Sequence, residues 1–411
     1  MDDKITIMNL LIITSQLPYP LNSGGNQAQF HFIEYMRNNI NISILYNENR
    51  INSAYNQSKL KQLWPNVEFF PYNWKKGKDK YSIIIKKAIK SIDQKVFKGK
   101  LQMKLLPFEE FCPGFFDFVL HTIKKQQIDL IEIDFNTFLP LIKILPSNVK
   151  KVFVQHEIQF VRNELSKSHL SISEKFIYES LKSEEIANMN KFNAIITLTD
   201  IDKEKLINNH ITVPIYSSPA CISSESIKKE HQYTNKNLVF IGGMNHYPNF
   251  HGINWFLDNV WSLLQQKNPD ITLSIIGKWG KQEQKRICNR YTSIHFLGFV
   301  EDLNKVLNNS IMIVPIIIGS GMRMKIVEAA NHSCPFVATT VGVEGLDFKN
   351  QEECFIADKP EEFANSIIQL LSDKELQMEQ AYAIKEKFEK KYSIQVLGKK
   401  RFFILNSIYN E

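Results

Sequence analysis

Short apolar runs alternate along this chain with longer segments whose apolar residues recur every three or four positions, in two series divided by a polar stretch. That pattern is what β-α-β units around parallel sheets demand, because each strand is buried on both faces and each helix on one. The first series places strands at 10–14, 42–46, 67–70, 130–133, 152–154 and 195–198, with helices such as 27–37 and 174–191 between them. Residues 219–237 lapse into Ser, Lys, Glu, His and Asn and read as a linker. The second series has strands at 238–241, 273–276, 295–297, 311–314, 336–338 and 354–356, and helices at 249–265, 322–331 and 361–371. A last helix, 394–411, is expected to pack back on the first half. The expectation is therefore an α/β chain of two doubly wound domains, 1–218 and 238–393, facing each other across a cleft. Open α/β folds hold their ligands at the carboxyl ends of the strands, so function is sought in those loops.

Composition narrows the class. At 411 residues, 44% hydrophobic and 23% charged, the chain can bury two cores and is neither a disordered polymer nor a disulfide scaffold. No apolar run approaches the roughly 20 residues of a membrane-spanning helix. The start, Met1-Asp2-Asp3-Lys4, is acidic where a secretory signal would be basic, which sets a cytoplasmic expectation. Five cysteines with no Cys-x-x-Cys pair read as reduced core residues. The net charge of +7 is unevenly placed: residues 75–104 hold eleven lysines against Asp79 and Asp93. A nucleic-acid protein spreads its charge over a reading surface, so one dense segment points to a local anionic partner instead.

The most informative segment runs from Val314 to Ala330, where a strand enters a Gly319-Ser320-Gly321 turn that opens a helix. Unpaired N–H groups and the positive end of the helix dipole suit an anion there. Arg323 and Lys325 put cations in the first turn, which is unfavourable unless a ligand brings negative charge. A diphosphate would do so. Glu328, one or two turns on, is within reach of neutral hydroxyls such as those of a ribose. The bland alternative is a surface turn with solvated charges. Gly342-Val343-Glu344-Gly345 supplies a second glycine loop beside this corner.

Together these segments resemble the nucleotide-binding half of the retaining family 4 glycosyltransferases of the GT-B fold, a likeness that extends over nearly the whole chain. The resemblance implies two Rossmann-like domains, a nucleotide-diphosphate sugar as co-substrate with no other cofactor, and Arg323 and Lys325 at the donor diphosphate. It implies that Glu328 bonds the ribose. Where many members carry a glutamate eight positions earlier, this chain has Ser320. Gly242-Gly243, followed by Met244, Asn245 and His246, resembles the family's first loop of the second domain, but the arginine and lysine of better-known relatives are missing. Arg323, Lys325 and the amides of Gly319 to Met322 would then supply most of the neutralisation, with no metal assigned. The turn at Gly298-Phe299-Val300 looks like the base-binding turn, where main-chain groups near Val300 would meet the nucleobase. Gly24-Gly25, after the first strand, resembles the glycine loop under the donor phosphates. His156, at the end of an apolar strand, sits where relatives place a histidine facing the transferred sugar.

The implied activity is transfer of a sugar from a nucleotide-diphosphate donor to a hydroxyl of a glycan, lipid-linked or other acceptor. Were transfer inverting, His156 would be the first candidate for general base. Two rivals stay open at this point: a sugar-nucleotide epimerase of the same fold, and a catalytically silent scaffold. Residues 81–96 place apolar side chains on one helical face opposite Lys86, Lys87 and Lys90, which fits either an anionic membrane surface, inner face included, or a helix covering its own sheet. No nucleic-acid partner is expected.

Overall fold

The computed structural model describes residues 8–21, 23–48, 52–73, 88, 91, 95, 113–156, 158–164, 171–224, 236–308, 310–319 and 321–411. The lysine-rich segment 75–104, apart from Ala88, Ser91 and Lys95, lies outside them, as do Ser320 and residues 225–235 of the expected linker. The described residues form two compact units. The first comprises the chain up to Pro20, Phe32–Ser218 and Lys400–Glu411; the second comprises Leu21–His31 and Pro219–Lys399. The sequence assigns 21–31 to the first domain, whereas the structure groups them with the second unit.

The first unit is built on a seven-stranded sheet ordered β3-β2-β1-β4-β5-β6-β7. Its strands are β1 (Asn9–Thr14), β2 (Asn41–Asn47), β3 (Val67–Tyr72), β4 (Leu130–Asp134), β5 (Lys150–Gln155), β6 (Ala194–Thr197) and β7 (Ile215–Ser217), all parallel. Between them come α1 (Gly24–Met36), α2 (Ser53–Leu63), α3 (Pro113–Lys125), a 3-10 turn at Asn136–Lys143, α4 (Gln159–Glu164), α5 (Ile172–Met189) and α6 (Asp200–Asn208). One sheet face carries Leu11, Ile13, Ile131, Ile133, Phe153 and Ile195 into a core with Phe115, Phe138 and Phe192. Burial of large side chains like these, each contributing about 1.5–3 kcal/mol, is what fixes which face each strand turns inward.

The second unit repeats the plan with six parallel strands ordered β10-β9-β8-β11-β12-β13. They are β8 (Asn237–Ile241), β9 (Thr272–Ile276), β10 (Ile294–Gly298), β11 (Ile311–Val314), β12 (Phe336–Ala338) and β13 (Phe355–Ile356). Its helices are α7 (Tyr247–Asn259), α8 (Trp261–Lys267), α9 (Lys281–Arg290), α10 (Asn304–Leu307), α11 (Met324–Asn331), α12 (Pro360–Ser372) and α13 (Lys374–Lys387). The last helix, α14 (Ile394–Asn410), joins the first unit from Lys400 onward. Strand order reverses between β1 and β4 and again between β8 and β11. Such switch points leave a crevice at the strand ends, so the loops after those four strands are where each unit can take a ligand.

Two helices near the expected ligand loops differ from the sequence expectation. The helix expected at 249–265 breaks at Val260 into α7 and α8, and the helix expected from Met322 begins at Met324. In α7, Gly252 is required by close approach: a Cβ there would stand 2.5 Å from the Pro315 carbonyl oxygen, which is backbone and cannot swing away. Glycine to alanine inside an ordinary helix stabilises by up to about 1 kcal/mol. Here we expect Gly252→Ala to destabilise by about 1–3 kcal/mol through overpacking, read as a lowered urea midpoint; a raised midpoint would refute this packing.

Candidate active site

The β8 and β11 exits of the second unit carry most of the expected donor residues. Gly242 follows β8, and its backbone N–H donates to Ile276 O at 2.8 Å while its carbonyl accepts from Trp279 Nε1 at 2.9 Å. A Cβ at Gly242 would lie 2.5 Å from Asn249 Nδ2, so only glycine lets the Asn249 amide close over this loop. Asn249, in the first turn of α7, donates from Nδ2 to Gly243 O at 3.1 Å and accepts at Oδ1 from Lys325 Nζ at 2.8 Å. The side chain thus ties the β8 loop to the start of α11, a role that sequence reasoning did not assign it.

Lys325 stands over the ring of Phe240, with Nζ 4.1 Å from the centroid. Among the described residues it meets the Asn249 amide, the Phe240 ring and the charge of Arg323. Burial, and secondly the charge of Arg323, hold its ammonium well below the ordinary lysine range. Arg323 is 7% exposed; its Nη1 donates to Gly321 O at 2.7 Å, and its guanidinium reaches the Cα side of Gly319, where φ is +117°. Arg323 occupies the N-cap of α11 with extended backbone (φ −94°, ψ 91°), and the first intrahelical bond is Ile326 N to Arg323 O at 2.9 Å. The helix therefore starts after the Gly-x-Gly turn, not within it. Gly319, Gly321 and Met322 belong to the strand-to-helix connection, and Ser320 lies outside the described residues.

Glu328 is buried in α11 with both oxygens engaged. Oε1 accepts from Gln27 Nε2 at 2.6 Å, Oε2 lies 3.6 Å from His332 Nε2, and His332 Nδ1 is 2.8 Å from Asn304 Oδ1. Gly24 and Gly25 form the first turn of α1, where Ser23 Oγ accepts from Asn26 N at 3.2 Å; a Cβ on Gly24 would touch Met324 Cγ at 3.0 Å. Val300 follows β10 and is half-buried, beside an exposed Phe299. Gly342 packs on the β11 exit: its N–H donates to Thr339 Oγ1 at 3.0 Å, and Thr339 Oγ1 donates in turn to Ile316 O.

In the first unit, His156 sits at the end of β5 and its Nε2 lies 3.1 Å from Asp134 Oδ1 at the end of β4. Phe135 stacks on the imidazole at 4.3 Å, with its own backbone in a left-handed conformation at φ +70°. Below these loops, Glu185 of α5 accepts the backbone N–H groups of Gln159 and Phe160 at the head of α4, and the Asn136 side-chain amide at 3.2 Å. It clasps the exits of β4 and β5 together. The tripeptide Asp200-Ile201-Asp202 is the chain's single Asp-x-Asp, and it is spent on capping: Thr199 Oγ1 donates to Asp202 Oδ2 and accepts from Asp202 N. Among the described residues no group of three or more His, Cys, Asp or Glu side chains is placed to hold a metal ion.

Residues 235–373 match the family model described as glycosyl transferases group 1. The whole chain is similar to TarM at a TM-score of 0.71, with 14% identity over 100% of both chains. It is also similar to HepE of Anabaena in complex with UDP-glucose, at 0.69 and 15% identity over 97% of this chain and 100% of that one. The fold is that of the GT-B glycosyltransferases. A curated Klebsiella pneumoniae protein, an uncharacterized 44.6 kDa product of the cps region, is 31% identical over 142 residues. That match spans 33% of this chain and 37% of the curated protein. No helix among the described residues is long and apolar enough to cross a membrane.

Burial pushes the Glu185 carboxyl up to about 7 from 4.5, against the pull of its two backbone donors. The folded state then keeps a proton that the unfolded chain has released, so the contribution of Glu185 to stability is fullest below about pH 4.5 and falls as pH rises toward 7. We expect Glu185→Gln to remove about one proton from that dependence in urea unfolding at a series of pH values; an unchanged slope would show that Glu185 is not buried as described.

Proposed function

We propose that the protein is a glycosyltransferase that takes a sugar from a nucleotide-diphosphate donor, UDP-linked in the first instance, and places it on a hydroxyl of a glycan or lipid-linked acceptor with retained anomeric configuration. One observation carries this reading: two cations, Arg323 and Lys325, stand together at a glycine-lined strand exit, and the neighbours seen around Lys325 bring it no negative charge. A desolvated ammonium such as that of Lys325 is costly unless an anion completes it. A diphosphate supplies that charge. The family match over 235–373 supports the same assignment, and the UDP-glucose bound by HepE supports the choice of nucleotide.

In this mechanism the donor's glycosidic C–O bond breaks as the diphosphate leaves with growing negative charge. Arg323, Lys325 and the amides of Gly319 to Met322 stabilise that charge, and fixed donors of this type contribute several kcal/mol to such a step. Glu328, held in place by His332 and Gln27, orients the ribose hydroxyls. Gly242, Gly243 and Val300 border the nucleotide, Gly24 and Gly25 the phosphates, and His156 faces the transferred sugar. Transfer on this scheme needs no metal. An association of segment 75–104 with anionic lipid at the inner membrane face belongs to the same reading, because a lipid-linked acceptor would lie there.

Two measurements test it. A thermal-shift series with UDP, GDP and ADP should show stabilisation by a nucleoside diphosphate, through preferential binding to the folded state. Arg323→Ala should lose that shift and at least about 100-fold in turnover while staying folded; retained turnover would remove Arg323 from the mechanism. Because Lys325 is held below the ordinary lysine range, pairing with a diphosphate should draw a proton onto it. Calorimetry in buffers of different ionisation enthalpy should therefore record proton uptake on UDP binding that grows toward alkaline pH and vanishes in Lys325→Met. Binding without proton uptake would place the diphosphate elsewhere.

A further inference from the structure

A second charged cluster lies in the first unit. On β4, Ile131 and Ile133 face the apolar core, so Glu132 and Asp134 face the opposite side of the sheet. There Arg401 of α14 sits over the ring of Phe32, 5.1 Å from its centroid, and its Nη2 lies 3.4 Å from Glu132 Oε2. Arg401 is 2% exposed and Glu132 4%. The Nε and Nη1 of Arg401 find no partner among the described residues. Among the described residues the charged groups that bear on Glu132 are Arg401 from α14, Asp134 from its own strand, and His156 from the end of β5.

Charge balance in this buried place is informative. For these four groups, two ionised carboxylates, one guanidinium and a neutral imidazole sum to −1, and a net charge out of water is strongly disfavoured. One added proton restores neutrality. It can reside on Glu132, leaving His156 neutral, or on His156, leaving both carboxylates ionised.

We propose that Glu132, Asp134 and His156 share a single proton whose number Arg401 fixes, so that Glu132 and Arg401 are positioning residues for the His156 end of the site. The chemistry follows from the 3.1 Å contact. With His156 Nε2–H donating to Asp134 and the proton on Glu132, Nδ1 carries a lone pair and accepts a hydrogen bond from a sugar or acceptor hydroxyl. With the proton moved to the imidazole, Nδ1 becomes a donor. Burial, which pushes the Glu132 carboxyl up to about 7, agrees with a proton resting there near neutrality. The consequence for sugar transfer rests on the glycosyltransferase reading; the shared proton does not.

The test therefore begins without any donor. Proton uptake on folding is taken from the pH dependence of urea unfolding between pH 4.5 and 9 for the full chain and for Glu132→Gln, Arg401→Lys, Arg401→Met and Glu132→Gln/Arg401→Met. Because the folded Glu132 keeps its proton above the unfolded value, stability should fall with rising pH up to about 7, and Glu132→Gln should lose about one proton of that dependence. Arg401→Met should gain about one proton and carry the fall above pH 7. Arg401→Lys should resemble the parent, and the double variant should recover stability lost in Arg401→Met. A Glu132→Gln profile that superimposes on the parent, or strictly additive effects of the two substitutions, would overturn the proposal. If Arg401→Met does not fold, the comparison of Glu132→Gln, Arg401→Lys and the double variant decides. A second arm follows turnover of a UDP-sugar against pH: Glu132→Gln should move the limb of the profile near pH 7 in kcat with KM little changed, and an unmoved profile would sever the cluster from catalysis. No turnover with any nucleotide sugar would instead refute the glycosyltransferase reading and leave the proton count standing.

Discussion

Two cations brought together at one strand exit, Arg323 buried and Lys325 half-buried, are the constraint around which the second unit is organised. Arg323 at the N-cap of α11 and Lys325 within its first turn repel each other, and helix geometry offers neither relief, since the N-terminus of a helix is itself positive. The surrounding residues make the arrangement tolerable rather than favourable. Asn249 accepts from Lys325, Phe240 offers the face of its ring, and a carbonyl of the preceding turn accepts from Arg323. Strain of this kind persists where function needs it. The glycines around it follow from the same need: Gly242 admits the Asn249 amide, and Gly252 lets α7 press against the β11 exit.

The first unit uses the opposite balance. The second unit brings Arg323 and Lys325 together at the β11 exit; in the first unit β4 and the loops after β4 and β5 gather Glu132, Asp134 and Glu185 with Arg401 and His156. Glu132 and Asp134 lie on β4, and Arg323 and Lys325 follow β11, two of the strands at which the order reverses and an open parallel sheet leaves its carboxyl-end loops parted.

Much of the fold was legible because parallel strands buried on both faces leave an unbroken apolar run. Ile311–Val314 and Phe336–Ala338 stand where the runs place them, and the other expected strands differ by a residue or two at their ends. Ile215–Ser217 was missed because three residues next to Pro214 give no run to read, and α6 because Asp, Lys and Glu cover most of it. The late start of α11 escaped notice since glycine signals a turn without saying which residue resumes helical dihedrals. Of the expected site residues, Arg323, Lys325 and His156 stood out by their placement after strands and Glu328 by its place one or two turns into the following helix. Asn249, Glu185 and Arg401 were not, because their importance comes from contacts across long sequence distances. Glu132 and Asp134 did leave a trace: two acids alternating with isoleucines inside a strand that is otherwise wholly apolar.

The most direct test of the donor corner is a crystal structure of the protein with UDP or an intact UDP-sugar. The account requires the diphosphate oxygens within hydrogen-bonding distance of Arg323 and Lys325, at the turn ahead of α11, with the ribose toward Glu328. A nucleotide bound at another surface, or an ordered complex in which protein atoms fill that corner, would contradict it.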